Sequence, residues 1–232
     1  MRQAGAMTTA DAVRRWLGPG RLLALGGAED GVWITERAAR AVLERAGAGV
    51  TGVVPGPLRL DLADPEAAAR PRVPPPPGAL PPGPLRITAE CTATTWSRPL
   101  PELAAGLREA LLTAATDVLD LPVTDTDIRV TGLADPAPAG GTGPVRAPVE
   151  PSVPRTEPDG PAARAAAAVP GVDGLTATLG PAVTIAPDRA RLEIAVARGH
   201  RPLTVARAVR SAVSPELPGD LPVAVLITAV TV

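Results

Sequence analysis

Two proline-rich stretches divide this chain, because a proline ring fixes φ and removes the backbone donor that helices and inner strands need. The first, residues 63–84, contains PRVPPPPGALPPGP, and the second, residues 134–161, reads ADPAPAGGTGPVRAPVEPSVPRTEPDGP. Neither supports a helix or a central strand, so both read as extended connectors of polyproline character. The first also has the composition of a segment that docks a proline-reading partner. The expected organisation is an N-terminal extension (1–30), a first unit (31–133, with the proline-rich loop 63–84), a linker (134–160) and a second unit (161–232).

Hydrophobic periodicity fills in the elements. In the extension, residues 11–17 form a short helix candidate with Asp11 as N-cap. Thr35 caps a helix over 36–46, since its hydroxyl accepts a free N–H of the first turn. Leu58-Arg59-Leu60-Asp61-Leu62 alternates as a half-buried strand does, and 85–94 has the same character. Pro101 opens a helix with Leu103, Leu107, Leu111, Ala114 and Val118 on one face. Ile128, Val130 and Leu133 mark a further strand. The order is α-β-β-α-β. Beyond the linker it recurs: helix 161–168, strands 182–186 and 190–197, helix 202–213 and strand 223–232.

Five ordered matches relate the units. Ala38-Ala39-Arg40-Ala41 pairs with Ala162-Ala163-Arg164-Ala165, and Val50-Thr51-Gly52-Val53 with Val172-Asp173-Gly174-Leu175. Arg98-Pro99-Leu100 pairs with Arg201-Pro202-Leu203, LAAGLREAL with VARAVRSAV, and Val130-Thr131-Gly132-Leu133 with Ile227-Thr228-Ala229-Val230. An internal duplication is expected. The fold class read from this pattern is α+β: two related α-β-β-α-β units, with helices packed on small, mostly antiparallel sheets.

Composition restricts the chemistry. The net charge is −1, all 23 basic residues are arginine, and there is no Phe, Tyr, Lys or Asn. Without lysine there is no Walker-A loop and no Schiff-base site. One Cys and one His make neither a structural zinc site nor an internal disulfide. Gly47-x-Gly49-x-x-Gly52 matches the dinucleotide fingerprint, but a helix precedes it and a strand follows, the reverse of what that site requires. These glycines read as a helix end and turn. Cys91 reads as a small buried filler, and Asp125 and Asp127 as turn residues rather than cation ligands. The expectation is therefore a non-catalytic chain with no cofactor, no metal and no nucleic-acid partner. The apolar run Leu221-Pro222-Val223 onward is too short to span a bilayer, and neither a signal peptide nor a membrane span is expected.

Candidate interaction residues are few. Trp16, Trp33 and Trp96 are the only aromatics, each a large core filler or a partner anchor, with Trp16 outside both units. Arg198-Gly199-His200-Arg201 forms a basic turn ahead of the Pro202 helix, where an anion can sit.

An apolar helix, V-x-G-V, two strands, a Pro-led helix with A-x-x-L/V-R-x-A-L/V, and a strand closing on V-x-G-L together resemble the alkaline shock protein family of envelope stress response proteins. Ile34-Thr35, residues 50–53, 101–111 and 128–133 carry the resemblance, and the second unit carries a reduced copy with Gly199 at the family's turn glycine. The first unit has Trp96 and Ser97 at that turn instead. The resemblance implies a cytoplasmic scaffold, peripheral at the inner face of the membrane through a membrane-anchored protein partner, with self-association as a further expectation. The alternative is a small-molecule or anion-binding domain, or a degenerate enzyme, built on His200.

Overall fold

The structure, a computed structural model, describes residues 20–94, 98–134 and 153–231. The elements run β1 (Leu22–Leu25), β2 (Val32–Thr35), α1 (Glu36–Ala48), β3 (Val53–Leu62), β4 (Leu85–Ala93), α2 (Leu100–Thr113), β5 (Val123–Leu133), β6 (Arg155–Thr156), α3 (Pro161–Ala167), β7 (Val172–Thr176), β8 (Val183–Ala186), β9 (Arg189–Val196), α4 (Pro202–Val213) and β10 (Val223–Val230). The class is α+β. The expected helix at 11–17 lies outside the described residues.

Two mixed sheets sandwich the helices. The larger has the order β1-β2-β10-β9-β7-β6, with β8 also on β9; the smaller is β3-β4-β5. The inner faces of both sheets and one side of each helix share a single hydrophobic cluster, from Leu23 and Ile227 to Leu60, Ile87 and Leu111. Each sheet contains the same signature. β3 and β4 are antiparallel and α2 leads to β5, parallel to β4. Likewise β7 and β9 are antiparallel, and α4 leads to β10, parallel to β9.

Several elements differ from their sequence reading. Leu22–Leu25 and Val32–Thr35 form an antiparallel hairpin, and β2 then pairs in parallel with β10. The strand just before the first unit's leading helix thus belongs to the sheet of the second unit. The reason is chemical: LLAL and VWIT are apolar at every position and need cover on both faces, which the inner part of a large sheet supplies. β10 is flanked by β9 and β2, so this terminal apolar strand is interior. The strand paired with β9 in the position that β3 takes beside β4 is β7, which holds the Val172-Asp173-Gly174-Leu175 stretch matched to residues 50–53, while 183–186 adds a further strand on β9. The Pro101 helix ends at Thr113 and continues as a π-helical turn, Ala114–Val118.

Local chemistry explains the first helix. Thr35 accepts a hydrogen bond from Ala38 N–H at 3.2 Å and caps α1. Gly47 lies where α1 meets α2 and β3: a Cβ there would stand 3.2 Å from Leu107 Cδ1 and 3.3 Å from Pro55 Cγ. Gly52, at φ +84°, makes the turn into β3. Gly49 is the C-cap of α1, its N–H donating to Ala46 O at 3.2 Å, so packing, capping and turning account for all three glycines of the apparent nucleotide fingerprint.

The proline-rich loop 63–84 is neither a free connector nor a surface tail. It lies across the outer face of the large sheet. Val73 and Ala79 pack there with Leu22, Ala24, Trp33, Leu179, Ala224 and Leu226. Leu80 N–H donates to the Leu22 carbonyl at 2.8 Å, and Ala79 runs parallel beside Leu22, so the same strap meets the β1 edge at Leu22. Arg72 N–H donates to Ala28 O at 2.9 Å and its guanidinium pairs with Glu29 at 2.6 Å.

Side chains tie the halves together at the β1–β2 turn. Arg207 of α4 grips Asp30 with both arms, Nε to Oδ1 at 2.7 Å and Nη2 to Oδ2 at 3.0 Å, while Gly27 N–H donates to Oδ2 at 2.8 Å. The Arg207 hydrogen bonds hold the Asp30 carboxyl below its ordinary pKa, against the opposing effect of burial.

Candidate functional site

The basic turn follows β9. Gly199 takes φ +78°, and Pro202 begins α4 with no side-chain cap from its own strand end. The cap comes from the other half of the molecule. Asp120, the one non-glycine among the described residues with positive φ, ends the π-helical turn and points its carboxylate at the start of α4. It accepts Leu203 N–H at 3.1 Å and Arg201 Nε at 2.6 Å, while Arg201 Nη2 donates to Thr116 O at 3.1 Å. The anion that this helix start attracts is therefore part of the protein, and its carboxylate is only 9% exposed.

Beside this pair is a depression of about 360 Å³, lined by Asp117, Val118, Arg198, His200, Val230 and Thr231. His200 is exposed, and its ring lies over Gly171, where a Cβ would come within 2.8 Å of Cγ and Nδ1. The depression does hold the histidine and a carboxylate, as an anion or acid–base site would. The donors best placed for a ligand, Leu203 N–H and the Arg201 guanidinium, are already bonded to Asp120.

The remaining candidates separate. Trp33 is 1% exposed under the proline strap, and its indole Nε1 has no hydrogen-bond partner among the described residues. Trp16 and Trp96 lie outside the described residues. Cys91 faces the core from β4, and burial pushes its thiol pKa up, away from the thiolate a nucleophile needs. Asp125 and Asp127 face Arg86, at 3.4 and 3.7 Å. Among the described residues no group of three or more His, Cys, Asp or Glu is placed to hold a metal. The buried acid Glu193 anchors a loop: it accepts Thr178 N–H at 2.7 Å and Leu179 N–H at 3.0 Å.

The sheet edges offer a different kind of site. In the large sheet, the strap meets one edge at Leu22, and the other side ends in two short strands, the two-residue β6 on β7 and the four-residue β8 on β9. In the small sheet, β3 carries Pro55 and Pro57, which lack N–H donors, and a bulge between Pro55 and Leu58. Prolines and bulges are the devices that blunt an edge. The other edge, β5, has eleven residues, no proline and none fully buried; its register against β4 shifts at Thr124 and Thr131 and is regular over 125–130. Ile128 and Val130 only partly enter the core, and Leu133 is 51% exposed. Arg108 of α2 donates to Thr126 O at 3.1 Å. Beyond β4, no strand among the described residues pairs with β5.

Sequence reasoning missed both Asp120 and the β5 edge. Asp120-Leu121-Pro122 does carry a local signal, an Asp ahead of a proline turn, since Asp tolerates positive φ better than most residues. Nothing local says that β5 has one neighbour.

Compared with known proteins, the chain matches no family model, no curated protein and no solved structure.

Proposed function

We propose that this chain is a non-catalytic scaffolding module that acts through protein–protein contacts, with the β5 edge as its contact surface. The observation that carries the reading is a contrast between edges: β3 carries two prolines, β1 is met by the strap, β6 and β8 are only two and four residues long, and the eleven-residue β5, regular over 125–130, has no second strand beside it among the described residues. An edge of this length, along which Arg108 takes the Thr126 carbonyl, suits strand addition, in which backbone hydrogen bonds supply affinity and alternate side chains supply selectivity.

The alternative, an anion or small-molecule site at Arg198, His200 and Arg201, is weakened by Asp120, which already occupies the helix start. The resemblance to envelope stress proteins supports a partner anchored in the membrane and a peripheral, cytoplasmic-side location. Among the described residues no helix is long and apolar enough to cross a membrane itself. The shared strand signature, β3-β4-β5 against β7-β9-β10, supports an origin by duplication, along with the five sequence matches.

Site-specific photo-crosslinking in the native host tests this. A crosslinking residue in place of Asp125 on β5 is expected to form protein adducts, and one in place of Arg59 on β3 is not. Membrane and soluble fractions processed apart then report whether the partner is membrane-anchored. No adduct at 125, or equal adducts at both positions, overturns the reading.

A further inference from the structure

We infer that the β5 edge is self-complementary, and that its occupant is the β5 edge of a second copy of this chain, paired antiparallel about Ile128. This rests on the reading of β5 as a contact edge and names its partner.

The argument starts from symmetry. Two identical edges that pair antiparallel are related by a two-fold axis perpendicular to the sheet, so both helix layers stay on one side. Opposed residues must then come from the same face of the strand, and the axis passes through a residue pair of like identity. The stretch 125–130 is regular, since the register shifts of β5 against β4 fall on either side of it. Its outer face carries Asp125, Asp127 and Arg129, and its inner face carries Thr126, Ile128 and Val130.

Charge selects among the registers. An axis at Asp127 sets two carboxylates directly opposite each other, and an axis at Arg129 sets two guanidinium groups opposite each other. Like charges in that position destabilise a pair of strands. An axis at Ile128 places Asp127 of each copy opposite Arg129 of the other, twice over. On the inner face it sets Ile128 against Ile128 and Thr126 against Val130, which are β-branched pairs of the favourable kind. The half-buried apolar side chains of β5 would then continue the core across the junction, and two three-stranded sheets would become one of six.

The side chains concerned are free to change partner. Asp127 and Arg129 are 68% and 73% exposed, and their intramolecular contacts are loose: 3.7 Å to Arg86 and 3.9 Å to Glu90. Exposed pairs at such distances contribute little, so little is lost on exchanging them.

Sedimentation equilibrium on the full chain, with melting curves as the folding control, tests the inference by charge exchange. The wild-type chain is expected to dimerise with concentration. Arg129→Asp alone and Asp127→Arg alone are each expected to lose the dimer, because each creates two like-charge pairs, while keeping the wild-type melting temperature at dilutions where the wild type is monomeric. Mixed one to one, the two variants are expected to form a heterodimer, since the opposite signs meet again. A wild-type chain that stays monomeric at every attainable concentration, or single variants that keep the dimer, would overturn the proposal, as would a mixture that stays monomeric beside a dimeric wild type. If either single variant fails to fold, Ile128→Lys, which buries two ammonium groups at the axis, takes its place: a folded variant that keeps the dimer sinks the inference. A monomeric wild type whose position 125 still crosslinks to another protein defeats this inference and leaves the contact-edge reading standing.

Discussion

The two sheets share an arrangement of strands and differ in their outer faces. On the large sheet that face is Leu22, Ala24, Trp33, Ala224 and Leu226, all buried under the proline strap. On the small sheet it is Arg59, Asp61, Arg86, Asp125, Asp127 and Arg129, all exposed; Asp61 pairs with Arg21 at 2.8 Å, while Arg86, Asp125, Asp127 and Arg129 pair loosely across strands. The difference appears in the strands themselves. β1, β2 and most of β10 are buried at every position, whereas β4 alternates buried and accessible positions. A sheet apolar on both faces must be covered twice, and one with a charged face can leave it in water. The first unit's loop thus covers the second unit's sheet, while among the described residues the first unit's own sheet has one uncovered face and one open edge.

The largest effect that tests this comparison is a charge placed on matching strands. Val225→Lys, at 0% exposure in the middle of β10, is expected to cost more than about 4 kcal/mol, enough to remove most of the native state. Val130→Lys on the β5 edge is expected to cost about 1 kcal/mol or less. Thermal melts followed by circular dichroism check both; similar losses at the two sites would break the contrast.

Next is the covered face. Trp33→Ala is expected to destabilise by about 3–5 kcal/mol, because it empties the space beneath the strap. Arg59→Ala on the bare face is expected to stay within about 0.5 kcal/mol of wild type. Urea unfolding monitored by circular dichroism measures both, and a neutral Trp33→Ala would mean that the strap does not depend on the face it covers.

A smaller effect sharpens how the strap side is held to α4. Asp30→Asn removes a charge gripped by Arg207 and is expected to cost about 1–2 kcal/mol at neutral pH. The folded pKa of Asp30 is depressed, so its stabilisation is present above the unfolded carboxylate value of about 3.9 and fades as pH falls through the folded value. The gap between wild type and variant should therefore close in acid. A gap that holds constant down to the lowest pH would assign the loss to something other than this charge.

The smallest is the cap. Thr35→Ala is expected to cost about 1 kcal/mol through the lost hydrogen bond to Ala38 N–H. Urea titration resolves it, and a stabilised variant would contradict the capping geometry.

Much of this was legible in the chain. The Thr35 cap, the alternation of Leu58, Leu60 and Leu62, and the apolar stripe of α2 are local patterns, and short-range physics is sufficient to specify them. So are the two-sided apolar strands, since a continuous run such as VAVLITAV states that both faces will be buried. What covers a face, or sits beside an edge, is decided between residues far apart in the chain. Trp33 meets Val73 and Leu226, Asp30 meets Arg207, and Asp120 caps a helix that begins at Pro202. The candidate sites follow the same division. Arg198, His200 and Arg201 are recognisable as a basic turn from sequence, but only the approach of Asp120 shows that the turn's anion is its own. β5 is recognisable as a strand, but its open edge exists only because β4 is its one neighbour among the described residues. Side-chain periodicity determines which faces are apolar; the partner of each face and edge is a long-range contact, and the chain closes it only on folding.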